Sequence, residues 1–187
     1  MNRRFQVRHS TIHNVAVVER AVVSDARGFF ARLFCEEELL AAGWKKPVAQ
    51  VNYSHTAKRG TIRGLHFQRP PAAEMKLVSC IRGKVWDVAV DVRVGSPTFL
   101  QWHAEELSEA NGLAMLIPEG VAHGFQTLTD HAELIYCHSA RYAPQYEDGL
   151  WPFDPRLAVA WPIDHTDMSD RDAAFSPIGP TFQGVAW

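Results

Sequence analysis

Turn-forming clusters punctuate this chain at intervals that leave little room for long helices: Asp25-Ala26-Arg27-Gly28, Lys58-Arg59-Gly60, Pro70-Pro71, Arg82-Gly83, Gly95-Ser96-Pro97, Asn111-Gly112 and Pro118-Glu119-Gly120. Glycine supplies backbone conformations closed to other residues, and proline fixes its own, so such clusters end regular elements. Between them lie β-branched and aromatic runs of strand length. Val85 to Val92 alternates, with Trp86, Val88, Val90 and Val92 pointing one way and Asp87, Ala89 and Asp91 the other. Leu134 to Tyr142 also alternates, which puts Leu134, Tyr136, His138 and Tyr142 on one face. Many short strands between regular turns predict an all-β sandwich or jelly roll.

Helix is scarce. Glu36 to Ala42, stopped by Gly43, is the best candidate, and Ser108 to Asn111 has room for a single turn at most. The last forty residues are rich in Pro, Trp and Asp and read as an irregular tail wrapped on the barrel. Within it a short helix is expected near Ser169 to Ala174, capped by Ser169, with Asp170 and Asp172 in its first turn. No internal repeat or low-complexity stretch interrupts the chain. Its 187 residues suit one domain spanning residues 1–187.

The formal net charge of −2 argues against a large nucleic-acid footprint, although a local basic cluster can still hold a small phosphate ligand. No apolar run reaches roughly 18 residues, so no membrane span is expected. The start, Met1-Asn2-Arg3-Arg4-Phe5, is basic, but no apolar run of signal-peptide length follows it. Cys35, Cys80 and Cys137 are widely spaced, odd in number and without zinc spacing. They read as reduced, buried thiols of a cytoplasmic protein.

The chemistry concentrates in Gly60-Thr61-Ile62-Arg63-Gly64-Leu65-His66-Phe67-Gln68. A lone strand histidine is more often structural than catalytic, and on a regular strand Arg63 and His66 would face opposite ways. Gly64 lies between them, and a strand glycine often marks a bulge, which would turn both side chains toward one cavity. Lys76 opens another strand pattern. Facing outward it is solvated surface; facing inward it needs an anionic ligand or a reaction oxyanion as partner. His123, delivered by the turn at Pro118 to Gly120, reads equally well as a structural histidine at a barrel rim. Tyr136 reads as a core tyrosine with its hydroxyl satisfied at the edge. Asp87 and Asp91 share a face; structural pairing with arginines such as Arg93 is expected of them rather than acid–base work. The His-x-His pattern of jelly-roll metal sites is missing, since the corresponding stretch reads His66-Phe67-Gln68, and the expectation is no metal.

These residues resemble the dTDP-4-dehydrorhamnose 3,5-epimerase family. The resemblance is carried by Arg63 to Gln68, Lys76 to Val78, Asp87 to Arg93, Gly95 to Phe99 and Ile117 to Phe125. Asp25 to Phe30, Asp154-Pro155, Trp161-Pro162 and Ser169 to Asp172 add to it, so that it covers roughly residues 10 to 180. The motifs are long, ordered and jointly specific.

The resemblance implies a cupin-type jelly roll with a few short helices and an irregular C-terminal tail. It implies a homodimer in which an N-terminal segment of one chain helps build its partner's site, with no metal and no organic cofactor. The implied substrate is a nucleotide-linked 4-keto-6-deoxyhexose, typically dTDP-linked. By position, His66 would be the base, Asp172 the carboxylate that orients it, Tyr136 the acid on the opposite ring face and Lys76 the stabiliser of the enolate oxygen. Arg27, Arg63 and Arg171 would hold the diphosphate, with Gln50, Tyr142 and Glu147 toward the nucleoside. Phe30, Asn52 and His123 would line the sugar region.

The chemistry suits those residue types independently. A ketone at C4 acidifies the hydrogens at C3 and C5, because the carbanion is an enolate; imidazole is a suitable base for them. Inversion needs a proton from the other face, hence a second group. Three departures from the family pattern bear on which nucleotide and sugar are accepted. Arg32 stands where Glu is usual, Glu74 where Gln is common and Tyr53 where His is common. An epimerase acting at C3 alone, a non-catalytic nucleotide-sugar binder and a metal-dependent cupin enzyme are the alternatives.

Overall fold

A computed structural model of the chain describes residues 4–186; the basic start at Met1 to Arg3 lies outside the described residues. In chain order the elements are β1 (Phe5–His9), β2 (Ala16–Arg20), β3 (Val22–Asp25), β4 (Gly28–Ala31), α1 (Glu36–Leu40), β5 (Gln50–Thr56), β6 (Ile62–Gln68), β7 (Lys76–Arg82) and β8 (Lys84–Asp91). Then come β9 (Trp102–Ser108), β10 (Leu113–Ile117), β11 (Val121–Thr127), β12 (Ala132–His138), β13 (Glu147–Gly149) and α2 (Asp170–Ala173). A six-stranded sheet has the order β1-β2-β10-β7-β12-β5, a five-stranded sheet has the order β13-β6-β11-β8-β9, and β3 and β4 form a separate hairpin. From β5 to β8 the chain changes sheet at every turn. The tight turn at Gly83, with φ of +71°, is one such crossing. Consecutive strands therefore face one another across the interior, which is the jelly roll that the turn spacing predicts.

Three apolar layers hold this together. Val78, Cys80, Met115, Ile117 and Leu134 of the larger sheet meet Val85, Ala89, Val121 and Phe125 of the smaller one in the interior. Leu39 and Trp44, on and just after α1, cover the outer face of the larger sheet against Leu77, Ala114 and Leu116. The outer face of the smaller sheet, Leu65, Phe67, Val88 and Val90, is covered by Leu150, Leu157 and Val185 of the C-terminal tail. Strands covered on both faces need not alternate, which is why Lys76–Cys80 and β11 are buried throughout. The alternation read in Val85 to Val92 is real, but its apolar face packs under the tail. The Asp87 and Ala89 face looks inward.

Several local expectations change. The first helix ends at Leu40, short of Ala42, and Gly43 follows with φ of +105°. Residues 108–111 form a turn held by Asn111 Oδ1, which accepts from the Ser108 and Leu113 amides. The strand begun at Ala132 ends at His138, so Tyr142 lies beyond it. Cys80 and Cys137 are buried as expected, but Cys35 is only half-buried at the start of α1; all three are free. Among the described residues no helix is long and apolar enough to cross a membrane.

The expected Asp91–Arg93 pair is present and closes the turn after β8. Asp91 accepts from the Arg93 amide at 3.0 Å, from Arg93 Nε at 2.8 Å and Nη2 at 2.7 Å, and from Ser96 Oγ and Thr98 Oγ1. Burial alone would raise this carboxyl, but the bonds from Arg93, Ser96 and Thr98 together outweigh it and hold it below the usual carboxylate range. Asp91→Ala would strand a buried guanidinium and is expected to cost about 3–5 kcal/mol, read from the urea midpoint of unfolding. A loss below about 1 kcal/mol would show that the pair does not hold this turn.

Candidate active site

A cavity of about 470 Å³ opens between the two sheets. Its walls are β6 and β11 on one side and β5, β7 and β12 on the other. On β6, Arg63 and His66 both line it. Register explains how. His66 pairs with His123 and Arg63 with Phe125, so three steps along β6 match two along β11. The extra residue is the bulge expected at Gly64, and it turns the two side chains the same way. Gly64 has φ of +122°, and a Cβ there would lie 2.5 Å from Gly124 Cα and 2.7 Å from the His123 carbonyl oxygen. Only glycine meets both conditions.

His66 Nε2 is 2.7 Å from Asp172 Oδ1. A carboxylate accepts, so Nε2 carries the proton and Nδ1 keeps its lone pair. Asp172 Oδ2 accepts from the Gly64 amide at 3.0 Å. Asp172 sits on α2, whose Ser169 cap accepts from the Asp172 amide as expected. Burial of Asp172 acts to raise its carboxyl, but the bonds from His66 and Gly64 and the nearby imidazole prevail and lower it.

The opposite wall carries Lys76 and Tyr136. Lys76 is buried; its Nζ donates to the His66 carbonyl at 3.2 Å and pairs with Glu74 at 3.2 Å. The Tyr136 hydroxyl lies 3.2 Å from Ser54 Oγ. Burial pushes its phenol well above the ordinary tyrosine value, so it holds its proton. His123 is also buried, with Nε2 at 2.7 Å from Asp87 Oδ1. This corrects the pairing expected of Asp87: its partner is His123, not an arginine, because the Asp87 face of β8 looks into the barrel.

Gln50, Asn52, Tyr142 and Glu147 form a linked rim. Gln50 Nε2 donates to Asn52 Oδ1 at 3.0 Å, the Tyr142 amide to Gln50 at 3.0 Å and the Tyr142 hydroxyl to Glu147 at 2.7 Å. Arg171 pairs with Glu147 at 2.9 Å. Arg171 and Asp172 line an adjoining depression of about 450 Å³ that shares Arg63 and His66 with the main cavity. Arg27 and Phe30 are not brought to the cavity. They stand on the β3–β4 hairpin, where Phe30 is 65% exposed and Arg27, among the described residues, pairs with Asp25 in its own turn.

Sequence reasoning missed Ser54 and the roles of Glu74 and His138 in the cavity. Ser54 follows Asn52 by two residues on one strand face, which was the available signal. Glu74 Oε2 accepts from His138 Nδ1 at 2.8 Å. Among the described residues no group of three or more His, Cys, Asp and Glu side chains is placed to hold a metal ion.

A carboxylate-backed imidazole on one wall, a proton-holding phenol on the other and an ammonium beside them make an acid–base site in a jelly roll. The chain belongs to the dTDP-4-dehydrorhamnose 3,5-epimerase family, whose model matches residues 9–179. A dTDP-4-dehydrorhamnose 3,5-epimerase of Sinorhizobium fredii is 42% identical over 170 residues, covering 88% of this chain and 85% of the relative. A dTDP-4-dehydrorhamnose 3-epimerase of Streptomyces niveus is 40% identical over 150 residues, covering 80% and 72%. The crystal structure of a 3,5-epimerase from Legionella pneumophila, in complex with dTDP-4-keto-L-rhamnose, superposes with a TM-score of 0.88 at 36% identity and 92% coverage of both chains.

Asp172→Asn keeps the shape but offers His66 an amide donor, which favours the tautomer with Nδ1 protonated toward the cavity. We expect kcat to fall about 10²–10⁴-fold, with a matching change of the His66 ring ¹⁵N shifts. The lowered Asp172 carboxyl also favours folding above the unfolded aspartate value of about 3.9, and this contribution fades as pH falls through the lower folded value. The variant should therefore lose stability at neutral pH and show a flatter acid limb. Unchanged kcat would separate Asp172 from the base.

Proposed function

We propose that this chain inverts C3 and C5 of a dTDP-linked 4-keto-6-deoxyhexose, converting dTDP-4-dehydro-6-deoxy-D-glucose to dTDP-4-dehydro-L-rhamnose. The observation that carries the reading is the placement of the His66–Asp172 pair and Tyr136 on facing sheets of one cavity. Family membership supports it, as does the polar lining of the cavity, with Arg63, Lys76 and Glu147 in it.

In this reading His66 Nδ1 removes the proton from the carbon next to the C4 ketone. The C–H electron pair moves to the C4 oxygen, which becomes an enolate. Asp172 favours the imidazolium that results. Lys76 donates an N–H to the enolate oxygen, and losing one such donor commonly costs about 2.7–4 kcal/mol of barrier. The enolate carbon then takes a proton from the Tyr136 hydroxyl on its other face, which inverts it. The site resets when His66 releases its proton and Tyr136 regains one. A second round at the other carbon needs the sugar held without release. Arg63 and Arg171, binding the diphosphate, supply that remote grip, with Gln50, Asn52, Tyr142 and Glu147 toward the nucleoside. His123 lines the sugar end beside Phe125.

Arg27 and Phe30 enter through a homodimer. The β3–β4 hairpin exposes Val22, Val23, Phe29 and Phe30 together, an apolar surface suited to a second copy, and it would carry Arg27 to the partner's diphosphate. The three free thiols agree with a reducing cytoplasmic location.

Deuterium incorporation from D₂O into dTDP-4-keto-6-deoxyglucose, followed by NMR, tests the activity, with sedimentation velocity run on the same sample. Label at C3 and C5 with L-configured product is expected from a dimer. Label at C3 alone would assign the single epimerase, as in the Streptomyces niveus relative's name. An active monomer would remove the hairpin from the site. His66→Ala should abolish incorporation while nucleotide still binds; turnover in that variant would overturn the assignment of the base.

A further inference from the structure

Phe175 takes no part in the proton transfers, yet it stands against the base. It lies in the tail just past α2, three residues after Asp172. Its ring centroid is 6.1 Å from that of the His66 imidazole, with the two planes at 59°. That separation is within the range over which aromatic rings attract.

Strand register explains how the ring comes to be there. Gly149 of β13, His66 of β6 and His123 of β11 stand in one row across the smaller sheet. Leu65 and Leu150 exchange both of their backbone hydrogen bonds. The next pair along, His66 and Gly149, is therefore a non-hydrogen-bonded one, the kind whose side chains approach most closely. A side chain at 149 would lie along the imidazole. Gly149 has none, and a Cβ there would fall 2.2 and 2.4 Å from two carbons of the Phe175 ring. The φ of Gly149 lies outside the left-handed region, so glycine serves here for space and not for conformation. Phe175 occupies the place beside His66 that residue 149 leaves open.

The imidazole has a use for such a neighbour. Its bond to Asp172 at 2.7 Å fixes one ring atom. One bond sets neither the tilt of the ring plane nor the direction of Nδ1. His123 flanks the ring on the β11 side of the row, and Phe175 completes the other side. Arg171 holds the tail in position for this, because it pairs at 2.9 Å with Glu147, two residues before Gly149.

We propose that Phe175 is a positioning residue for the base: by filling the space over Gly149 it sets the plane of the His66 imidazole, so that Nδ1 points into the cavity while Nε2 stays on Asp172. Phe175 does not itself line the cavity, so it acts through His66. Its effect on turnover rests on the epimerase reading of the site; its effect on the ring does not.

Phe175→Ala and Phe175→Leu are compared with the wild type by long-range ¹H–¹⁵N NMR of the His66 ring, at a pH where the imidazole is neutral, and by steady-state turnover of dTDP-4-keto-6-deoxyglucose. In the wild type one ring nitrogen should be protonated and the other bare. Phe175→Ala should draw the two nitrogens toward a common averaged shift. It should lower kcat about 10–10²-fold and leave KM within about two-fold, since geometry is lost and not binding. Phe175→Leu keeps an apolar anchor for the tail and should show both changes at smaller amplitude; it carries the test if the alanine variant does not fold. A residue that only anchors the tail would lower the urea midpoint and leave the ring nitrogens and kcat of the folded protein unchanged. That result would overturn the proposal, as would averaged nitrogens already in the wild type or a loss confined to KM. An inactive wild type, with the ring averaged only in the variants, would reject the epimerase reading and keep the role of Phe175. An active wild type whose ring nitrogens and kcat survive both substitutions would do the reverse.

Discussion

One buried carboxylate ties the two ends of this structure together. Asp172 reaches from the C-terminal tail to β6, where it accepts both the His66 imidazole and the Gly64 amide. The same interaction therefore fixes a tautomer, pins the bulge that aims Arg63 and His66 into the cavity, and docks α2 on the sheet. The apolar side chains of the tail do the rest of the docking against the outer face of the smaller sheet. In the proposed mechanism, chemistry and tertiary assembly both draw on one contact between residues 106 positions apart. If the tail were released, the imidazole would lose its partner and Gly64 its acceptor together.

The jelly roll contributes the second requirement, two facing walls. Because the chain changes sheet at every turn from β5 to β8, its strands alternate between walls. His66 lies on the smaller sheet and Tyr136 on the larger. Groups held on paired strands keep their places better than groups on loops, which suits a reaction that must take a proton from one face of a carbon and return it to the other. Behind His123 the inward face of β8 carries Asp87. Asp87 is buried against His123, with its second oxygen unpartnered among the described residues.

Much of this could be read from the residues, for identifiable reasons. Turn clusters located the strands because glycine and proline act locally. The Ser169 cap and the short helix after it are also local, and they appear where expected. Gly64 announced the bulge because a glycine between two functional side chains of the wrong parity has few other uses. Long-range partners were less legible. The alternation in β8 identified its two faces but not which one the tail would cover, so Asp87 was paired with the wrong kind of residue. Glu74 stands out as a departure from the family, but the Glu74–His138–Lys76 contacts join β7, β12 and the loop before β7, far apart in sequence. Arg27 and Phe30 carry family motifs yet lie on an exposed hairpin that lines no part of the cavity.

The account turns on proton delivery from two opposed walls. Its most direct test is Tyr136→Phe in D₂O, with deuterium at C3 and C5 and product configuration followed in one NMR experiment. The variant keeps His66, Asp172 and Lys76, so exchange at the carbon facing His66 should continue. The inverted product should fall about 10²–10⁴-fold, because the proton donor of the other face is gone. Inversion at the wild-type rate, or equal loss of exchange and inversion, would contradict a base and an acid acting from opposite sheets.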